Sequence, residues 1–354
     1  MEFGLSEEQT LLQDSVSRFL KDNVTLDAVR EVAAGDTSDA NIWRGLADLG
    51  IAGLIIPEAQ GGVGLGMLEA VVVSEALGYH IAPSPFISSA IVAPTVLLAA
   101  GHTDKLGDIA AGNLRVGVAF SEAIGARLDA GVHISDDALT GKLLFAFDAH
   151  ADACLVNGPN REIFWVDAST TGLTRRSLTT IDKTRTICEL QFNKADAVPI
   201  SEDAEVMQAG IDAGRMVQAA DSLGAAQAML DQAVAYAMQR KQFNRVIASF
   251  QAVKHLCAEM ASQLEPCRSL VWYGGHALSE QTADARLTVC HANAHLSEVA
   301  QFVAKTSTEV HGGMGFTDLV GLHYWFKRIG ANRQLLGSPE AVREEAARLQ
   351  NLID

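Results

Sequence analysis

The spacing of apolar residues changes twice along this chain, and that double change restricts the fold to a helical part, a β part and a second helical part in that order. From Ser6 to about Gly112 apolar residues recur at helical intervals, with Leu11, Leu12, Val16, Phe19 and Leu20 on one face of the first helix. Ser6 followed three positions later by Gln9 predicts a capped start. Further helices are expected over Asn41 to Leu49, Met67 to Leu77 and Ser88 to Ala99. From Leu114 to about Pro199 the pattern becomes short β-prone runs, such as Val116 to Phe120, Ala153 to Val156 and Glu162 to Val166. Long helical patterns return from Ala204, and the last opens on Ser338-Pro339-Glu340, a capping residue followed by proline at the first helical position. The expected fold class is α+β, mostly α, with an N-terminal helical domain over 1–112, a middle β-domain over 113–200 and a C-terminal helical domain over 201–354.

Composition narrows compartment and partners. The chain has 354 residues, 48% of them hydrophobic, enough to bury two or three cores, and no Ser/Gly/Pro-rich linker or internal repeat divides it. A formal net charge of -16 argues against nucleic acid and anionic membrane as partners, because both demand clustered Lys and Arg. Cysteines 154, 188, 257, 267 and 290 form no CxxC pair, which points to reduced thiols and a cytoplasmic location. Met1 leads directly into the first helix pattern, so no signal peptide is expected. The apolar run Ile87 to Ala100 is interrupted by Pro94 and too short to span a bilayer.

The last third carries a series of short motifs. Asp221-Ser222-Leu223-Gly224-Ala225-Ala226-Gln227 is followed by Tyr236-Ala237-Met238-Gln239-Arg240-Lys241-Gln242-Phe243, by Ser249-Phe250-Gln251-Ala252-Val253-Lys254-His255 and by Glu309-Val310-His311-Gly312-Gly313-Met314-Gly315-Phe316. In order and spacing this series resembles the flavin-binding C-terminal domain of acyl-CoA dehydrogenases. The opening Leu5-Ser6-Glu7-Glu8-Gln9 and the turn Ile56 to Gly64 also recur in that family, so the resemblance covers the whole chain. It implies a C-terminal four-helix bundle, FAD as cofactor, an acyl-CoA thioester as substrate, and an electron-transferring flavoprotein as acceptor. An acidic body would have to bind anionic CoA locally.

Dehydrogenation at Cα–Cβ of an acyl-CoA needs a carboxylate to take a proton from Cα, donors to hold the thioester oxygen, and an anchored FAD to accept hydride from Cβ. The resemblance puts the base in one of two places. Most members carry glutamate before a Gly-Thr ahead of the last helix; here Leu336 precedes Gly337-Ser338. A minority carry it before an arginine in the first C-terminal-domain helix; here Gly214 precedes Arg215, which the resemblance makes a substrate-binding residue. Neither leucine nor glycine accepts a proton. Loss of a positioned base costs about 10²–10⁴ in rate, roughly 3–5 kcal/mol of barrier. The alternative is that a third carboxylate, such as Asp212, Glu309 or Asp318, has taken over, and Leu336 N–H can in either case still hold a thioester oxygen.

The two halves of the expected FAD site differ. Around the flavin ring, the family's T-E-P segment reads Phe120-Ser121-Glu122-Ala123, its following Gly-Ser-Asp reads Gly125-Ala126-Arg127, and a later ring-contacting segment reads Phe145-Ala146-Phe147-Asp148-Ala149. Ser121 and Glu122 keep the first pattern, and loop drift is the competing account of the rest. The groups that hold the ADP half are kept: Arg240 is a fixed fork suited to pyrophosphate, beside Gln242 and Phe243, with Gln251, His311, Gly312 and Gly313 completing the pattern. Glu309 departs from the family's glutamine. In this family the second set reaches the neighbouring subunit's FAD, whereas the base and ring contacts serve the subunit's own.

That asymmetry resembles the base-lacking subunit of heteromeric, α2β2, bacterial acyl-CoA dehydrogenases, known for steroid and other bulky thioesters. The alternatives are a self-sufficient dehydrogenase, as a homo-oligomer with a relocated base, and a non-catalytic acyl-CoA binder or scaffold. Two weaker constellations read as structure. His291 and His295 lie four apart on a helix, but no third ligand is fixed, so no metal is expected. The Gly61-Gly62-Val63-Gly64 run lacks the strand and the Lys-Ser/Thr of a phosphate loop and reads as a turn between helices.

Overall fold

A computed structural model describes residues 4–35, 37–121, 123–124, 131–135 and 138–353. The N-terminal part holds helices α1 (Glu7–Asn23), α2 (Leu26–Ala34), α3 (Ala40–Asp48), α4 (Met67–Tyr79), α5 (Ala93–Ala99) and α6 (Leu106–Ala110). Ser6 and Gln9 form the expected reciprocal cap on α1. The helix expected over Ser88 to Ala99 begins at Phe86 and opens as a π-helical turn, Phe86–Val92, in which Ala93 N–H reaches back five residues to Ser88 O. Pro94 has no N–H for the ladder, and the wide turn ahead of it is where the ladder changes register.

The β part is an eight-stranded sheet of β1 (Val116–Ala119), β2 (Gly131–Ser135), β3 (Ala138–Phe147), β4 (Ala153–Asn157), β5 (Ile163–Asp167), β6 (Leu173–Leu178), β7 (Ile187–Asp196) and β8 (Val198–Ser201). Its order is β6-β7-β3-β1-β4-β5-β8, with β2 against β3. β1 and β4 run parallel, and the other pairs are antiparallel. The β3–β7 register shifts between Leu143 and Ala146, and Phe145 within that bulge has φ +55. The bulge re-aims Phe145 out of the strand's alternation.

Three long helices, α7 (Ala204–Gln239), α8 (Gln251–Ser279) and α9 (Ala285–His311), form the C-terminal bundle; α10 (Leu322–Asn332) packs on α7 and α9, and α11 (Pro339–Leu349) packs on α9. Ser338 caps α11 through Ala341 N–H, as its sequence predicts. A two-residue ladder, β9 (Lys241–Gln242) and β10 (Arg245–Val246), joins α7 to α8. The helical parts lock together at α4 and α7: a Cβ on Gly78 would stand 1.9 Å from Asp221 O, and one on Gly224 would stand 1.8 Å from Glu75 O. No side chain fits between these two backbones. No helix among the described residues is long and apolar enough to cross a membrane.

Candidate active site and cofactor anchor

A cleft of about 720 Å³ opens between the sheet and the segment joining α10 to α11. Ser121, Phe145, Thr180 and Arg185 contribute from the sheet side, Leu335 and Gly337 from the other. The structure thus brings Ser121 and Phe145 together with the loop that carries Leu336. Glu122 and Gly125-Ala126-Arg127 lie outside the described residues. The volume falls in the range of small-molecule and cofactor sites.

Beside the cleft, the two expected base positions meet. Leu336 is 3% exposed, and its Cδ1 lies 2.7 Å from where a Cβ on Gly214 would stand; Val92 Cγ2 lies 2.9 Å from the same point. The leucine therefore occupies the volume that any side chain at 214 would need. Leu336 has φ +59, a conformation a branched side chain adopts only when its surroundings enforce it. Arg215 donates from Nε to Leu336 O at 2.8 Å and so holds this turn from one side.

Arg215, expected to contact substrate, is instead locked inside the protein. It is 2% exposed, and its Nη1 lies 2.7 Å from Glu345 Oε2, while Glu345 also takes Arg286 at 2.8 Å. Asp212 completes this cluster at 3.9 Å from Arg215 and 4.0 Å from Arg286, and accepts a hydrogen bond from Gln208. Burial pushes the Asp212 carboxyl up to about 6, although Gln208 and both arginines act the other way. Burial would raise Glu345 also, yet Arg215 and Arg286 hold it below the usual carboxylate range. The other two candidate carboxylates lie elsewhere. Glu309 is exposed near the end of α9, and exposed Asp318 pairs with Arg30 and His323. None of the three lines the cleft.

Behind the cleft lies a second buried ionic group, whose role the sequence did not disclose. Arg328 is fully buried and meets Asp221 at 3.4 Å and Asp182 at 3.5 Å, while Arg185 meets Asp221 at 2.6 Å. Asn332 donates to Asp221 and to Ser222. Burial alone would raise Asp221; Arg185 and Arg328 outweigh it and hold the carboxyl low. Through these bonds α7, α10 and the loop before β7 share one network, which fixes Arg185 at the cleft wall. The available signal was Asp221 itself, an acid beside Ser222 in an otherwise apolar run from Ala219 to Ala226.

The expected FAD anchor lies at the opposite end of α7. At about 1.5 Å rise per residue, Arg240 stands roughly 39 Å along the helix from Gly214. Arg240, Gln242, Phe243, Gln251, Glu309, Gly312 and Gly313 are all exposed there. The ends of α7 and α9 are held side by side by Tyr236 stacked on His311, ring centroids 4.7 Å apart. His311 itself turns inward: it is 3% exposed, its Nδ1 bonds Ser307 O, and burial lowers its pKa, so it braces the anchor rather than facing solvent. Phe243 is 86% exposed at φ +50 and Asn244 follows at φ +63, the two left-handed centres of a tight hairpin turn. The Arg240 guanidinium has no ion pair among the described residues. An unpaired guanidinium, a projecting ring and two exposed glycines fit a diphosphate and its nucleoside.

His291 and His295 are exposed on α9, and the described residues hold no group of three His, Cys, Asp or Glu placed for a metal. Burial pushes the Cys154 and Cys290 thiols up to about 12 and Cys188 and Cys267 to about 11, which makes them poor nucleophiles.

Residues 6–105 match the acyl-CoA dehydrogenase N-terminal domain and residues 204–349 the C-terminal domain of the same family. The chain belongs to the acyl-CoA dehydrogenase family. The chain is 30% identical over 350 residues to acyl-CoA dehydrogenase IpdE2 of Mycolicibacterium smegmatis, covering 98% of this chain and 99% of that one. The IpdE2 of Mycobacterium tuberculosis is 30% identical over 346 residues, 95% of each chain. Among solved structures it is similar to a variant of the Tcur3481-Tcur3483 steroid ACAD, with TM-score 0.88, 26% identity and 98% of both chains covered. It is also similar to the ChsE4-ChsE5 complex from Mycobacterium tuberculosis, with TM-score 0.89, 25% identity and 100% of both chains covered. FAD is the cofactor of the family, and its members are oxidoreductases.

Proposed function

We propose that this chain is the base-lacking subunit of a heteromeric acyl-CoA dehydrogenase, and that it contributes the Arg240 end of α7 to FAD held by a catalytic partner. The observation that carries this reading is the contact between Leu336 and Gly214. Each of the two positions expected to hold a base lacks one, and the leucine fills the space a replacement at 214 would need. Meanwhile Arg240, exposed and roughly 39 Å away along α7, is too distant to anchor a cofactor whose ring lies in this chain's own cleft. An anchor without a cleft beside it makes sense across an interface. The steroid ACAD and ChsE4-ChsE5 structures, each named for two components, support a two-chain assembly, for which the proposal takes the α2β2 form.

In the assembled enzyme FAD supplies the hydride acceptor for α,β-dehydrogenation of an acyl-CoA, with an electron-transferring flavoprotein as the next carrier. This chain's residues do the holding: Arg240 pairs with the diphosphate, Gln242 and Gln251 offer amides, Phe243 covers an apolar face, and Gly312 and Gly313 let backbone approach. The word steroid in the name of one similar structure makes a steroid-derived thioester the first to try. The reading carries with it a division into three domains at residues 112 and 200, and a cytoplasmic location.

Asp212 is the one observation that favours a self-sufficient enzyme, since burial brings its carboxyl to about 6, the range of a general base. Its bonds to Gln208 and its place beside Arg215 and Arg286 turn it toward α9 and α11. The two readings separate in one experiment. Acyl-CoA added anaerobically to the isolated, flavin-loaded chain should leave the flavin oxidised, whereas adding the co-expressed partner should bleach it. Rapid bleaching of the isolated chain, abolished by Asp212→Asn, would replace the first reading with the second.

A further inference from the structure

A second pocket, of about 240 Å³, shares no lining residue with the cleft and lies roughly 27 Å along α7 from Gly214. It sits where the α1–α2 corner, the end of α4, the last third of α7 and the start of α10 converge. Buried Val24, Ile81 and Ala228 form its apolar base. Tyr79 and Trp325 stand at its edge and are fixed by their own polar ends. Tyr79 donates to Asp231 Oδ2 at 3.0 Å, and Trp325 Nε1 donates to Tyr79 O at 2.9 Å. Ile81, a β-branched residue, is held at φ +52. Such conformations persist where surrounding structure enforces them and concentrate at ligand sites.

Two polar side chains in this pocket, His80 and Gln232, have no hydrogen-bond partner among the described residues. His80 packs edge-on against Tyr79, ring centroids 5.2 Å apart, and burial together with nearby Lys21 lowers its pKa. An uncharged imidazole offers one donor and one acceptor, and a carboxamide offers two N–H donors beside an acceptor oxygen. Asp231, the carboxylate bonded to Tyr79, is also engaged by Gln227. The pocket therefore offers two aromatic side chains and uncharged donors and acceptors; no lysine or arginine lines it among the described residues, and Lys21, near His80, stands outside the lining. Its volume lies just below the range of about 300–1,000 Å³ typical of drug-sized ligands, which limits it to one or two rings.

We propose that this pocket binds an uncharged, planar heterocycle of about purine size, its ring against Tyr79 and Trp325 and its edge on His80 and Gln232. Carboxamides pair with the adjacent donor and acceptor of such rings, and aromatic faces stack on them. The proposal does not depend on whether the chain is catalytic. Equilibrium dialysis of the full chain with adenosine, which carries no phosphate, tests it. One saturable site is expected, with a dissociation constant of about 0.1–1 mM. Gln232→Ala and His80→Ala should each weaken it at least about tenfold, the scale of losing a hydrogen-bonding partner in a partly buried site. Both side chains are partly exposed, so folding should survive, and circular dichroism checks that. Arg240→Ala should leave binding unchanged. Three results overturn the proposal: no saturable uptake at about 5 mM; loss in Arg240→Ala with retention in Gln232→Ala, which puts adenosine at the dinucleotide anchor; or equal competition by indane, a two-ring hydrocarbon without ring nitrogens.

Discussion

At the scale of single residues, the contact between Leu336 and Gly214 makes an energetic prediction that does not require knowing the substrate. Leu336→Ala removes buried branches from a packed cluster and should cost about 2–4 kcal/mol of stability. Gly214→Ala forces a methyl against Leu336 and Val92 and should cost about 1–3 kcal/mol. The double variant should be more stable than the sum of the two losses predicts, because the new methyl enters the space the leucine leaves. Urea denaturation of all four proteins measures this, and strict additivity would mean the two side chains do not compete for one volume. Asp212 makes a prediction about pH. Its carboxyl is higher in the folded protein, about 6, than in the unfolded chain, so between about pH 4 and 6 the folded state binds more protons. Asp212 therefore subtracts stability as pH rises through that window, by an amount on the order of 2–3 kcal/mol. Asp212→Asn should melt at a temperature that depends less on pH between 4 and 6, and an unchanged pH profile would contradict the raised pKa.

At the scale of elements, the proposed function gives α7 different duties at its two ends, so Arg215 within it and Arg240 at its C-cap should fail differently when removed. Arg240→Ala should lower FAD affinity of the assembled enzyme about tenfold to a hundredfold, the loss of a hydrogen bond to a charged group, about 1.5–3 kcal/mol, while leaving the melting temperature of the isolated chain nearly unchanged. Arg215→Ala should do the reverse. It strands buried Asp212 and Glu345 beside a single arginine and should cost about 3–5 kcal/mol of stability with little direct effect on flavin retention. Flavin content by absorbance and thermal melting of both variants separate these outcomes. Much of this was legible in the sequence. Apolar spacing disclosed α1, α3, α4, α7 and the strand runs, and Ser338-Pro339 placed the start of α11. The long pair β3–β7 and the bulge at Phe145 were not legible, because register shifts are set by cross-strand pairing that no local window contains. Arg215 misled for a related reason: its position beside Gly214 suggested substrate, but Glu345, 130 residues away, claims its guanidinium. Ion networks assembled from distant segments leave no local signature.

At the scale of the whole molecule, the separation of cleft and anchor sets the stoichiometry expected of an assembly. If Arg240 serves a neighbour's cofactor while this chain's own site lacks a base at Leu336 and Gly214, the heteromer should carry about one FAD per two chains, following the pairing of sites at a two-fold interface. Absorbance of the flavin band against total protein measures it. A ratio near one FAD per chain for this protein purified alone would contradict the trans assignment. The anchor end also exposes Phe243 at 86% and Phe316 at 81%, on turns held together by the Tyr236–His311 stack. In a crowded cell, uncovered aromatic side chains of this size are what folding helpers and proteases bind. An unassembled copy is thus marked for removal, and the amount of this chain that accumulates should follow the amount of whatever covers that end, so that synthesis of the two is balanced by degradation as well as by transcription.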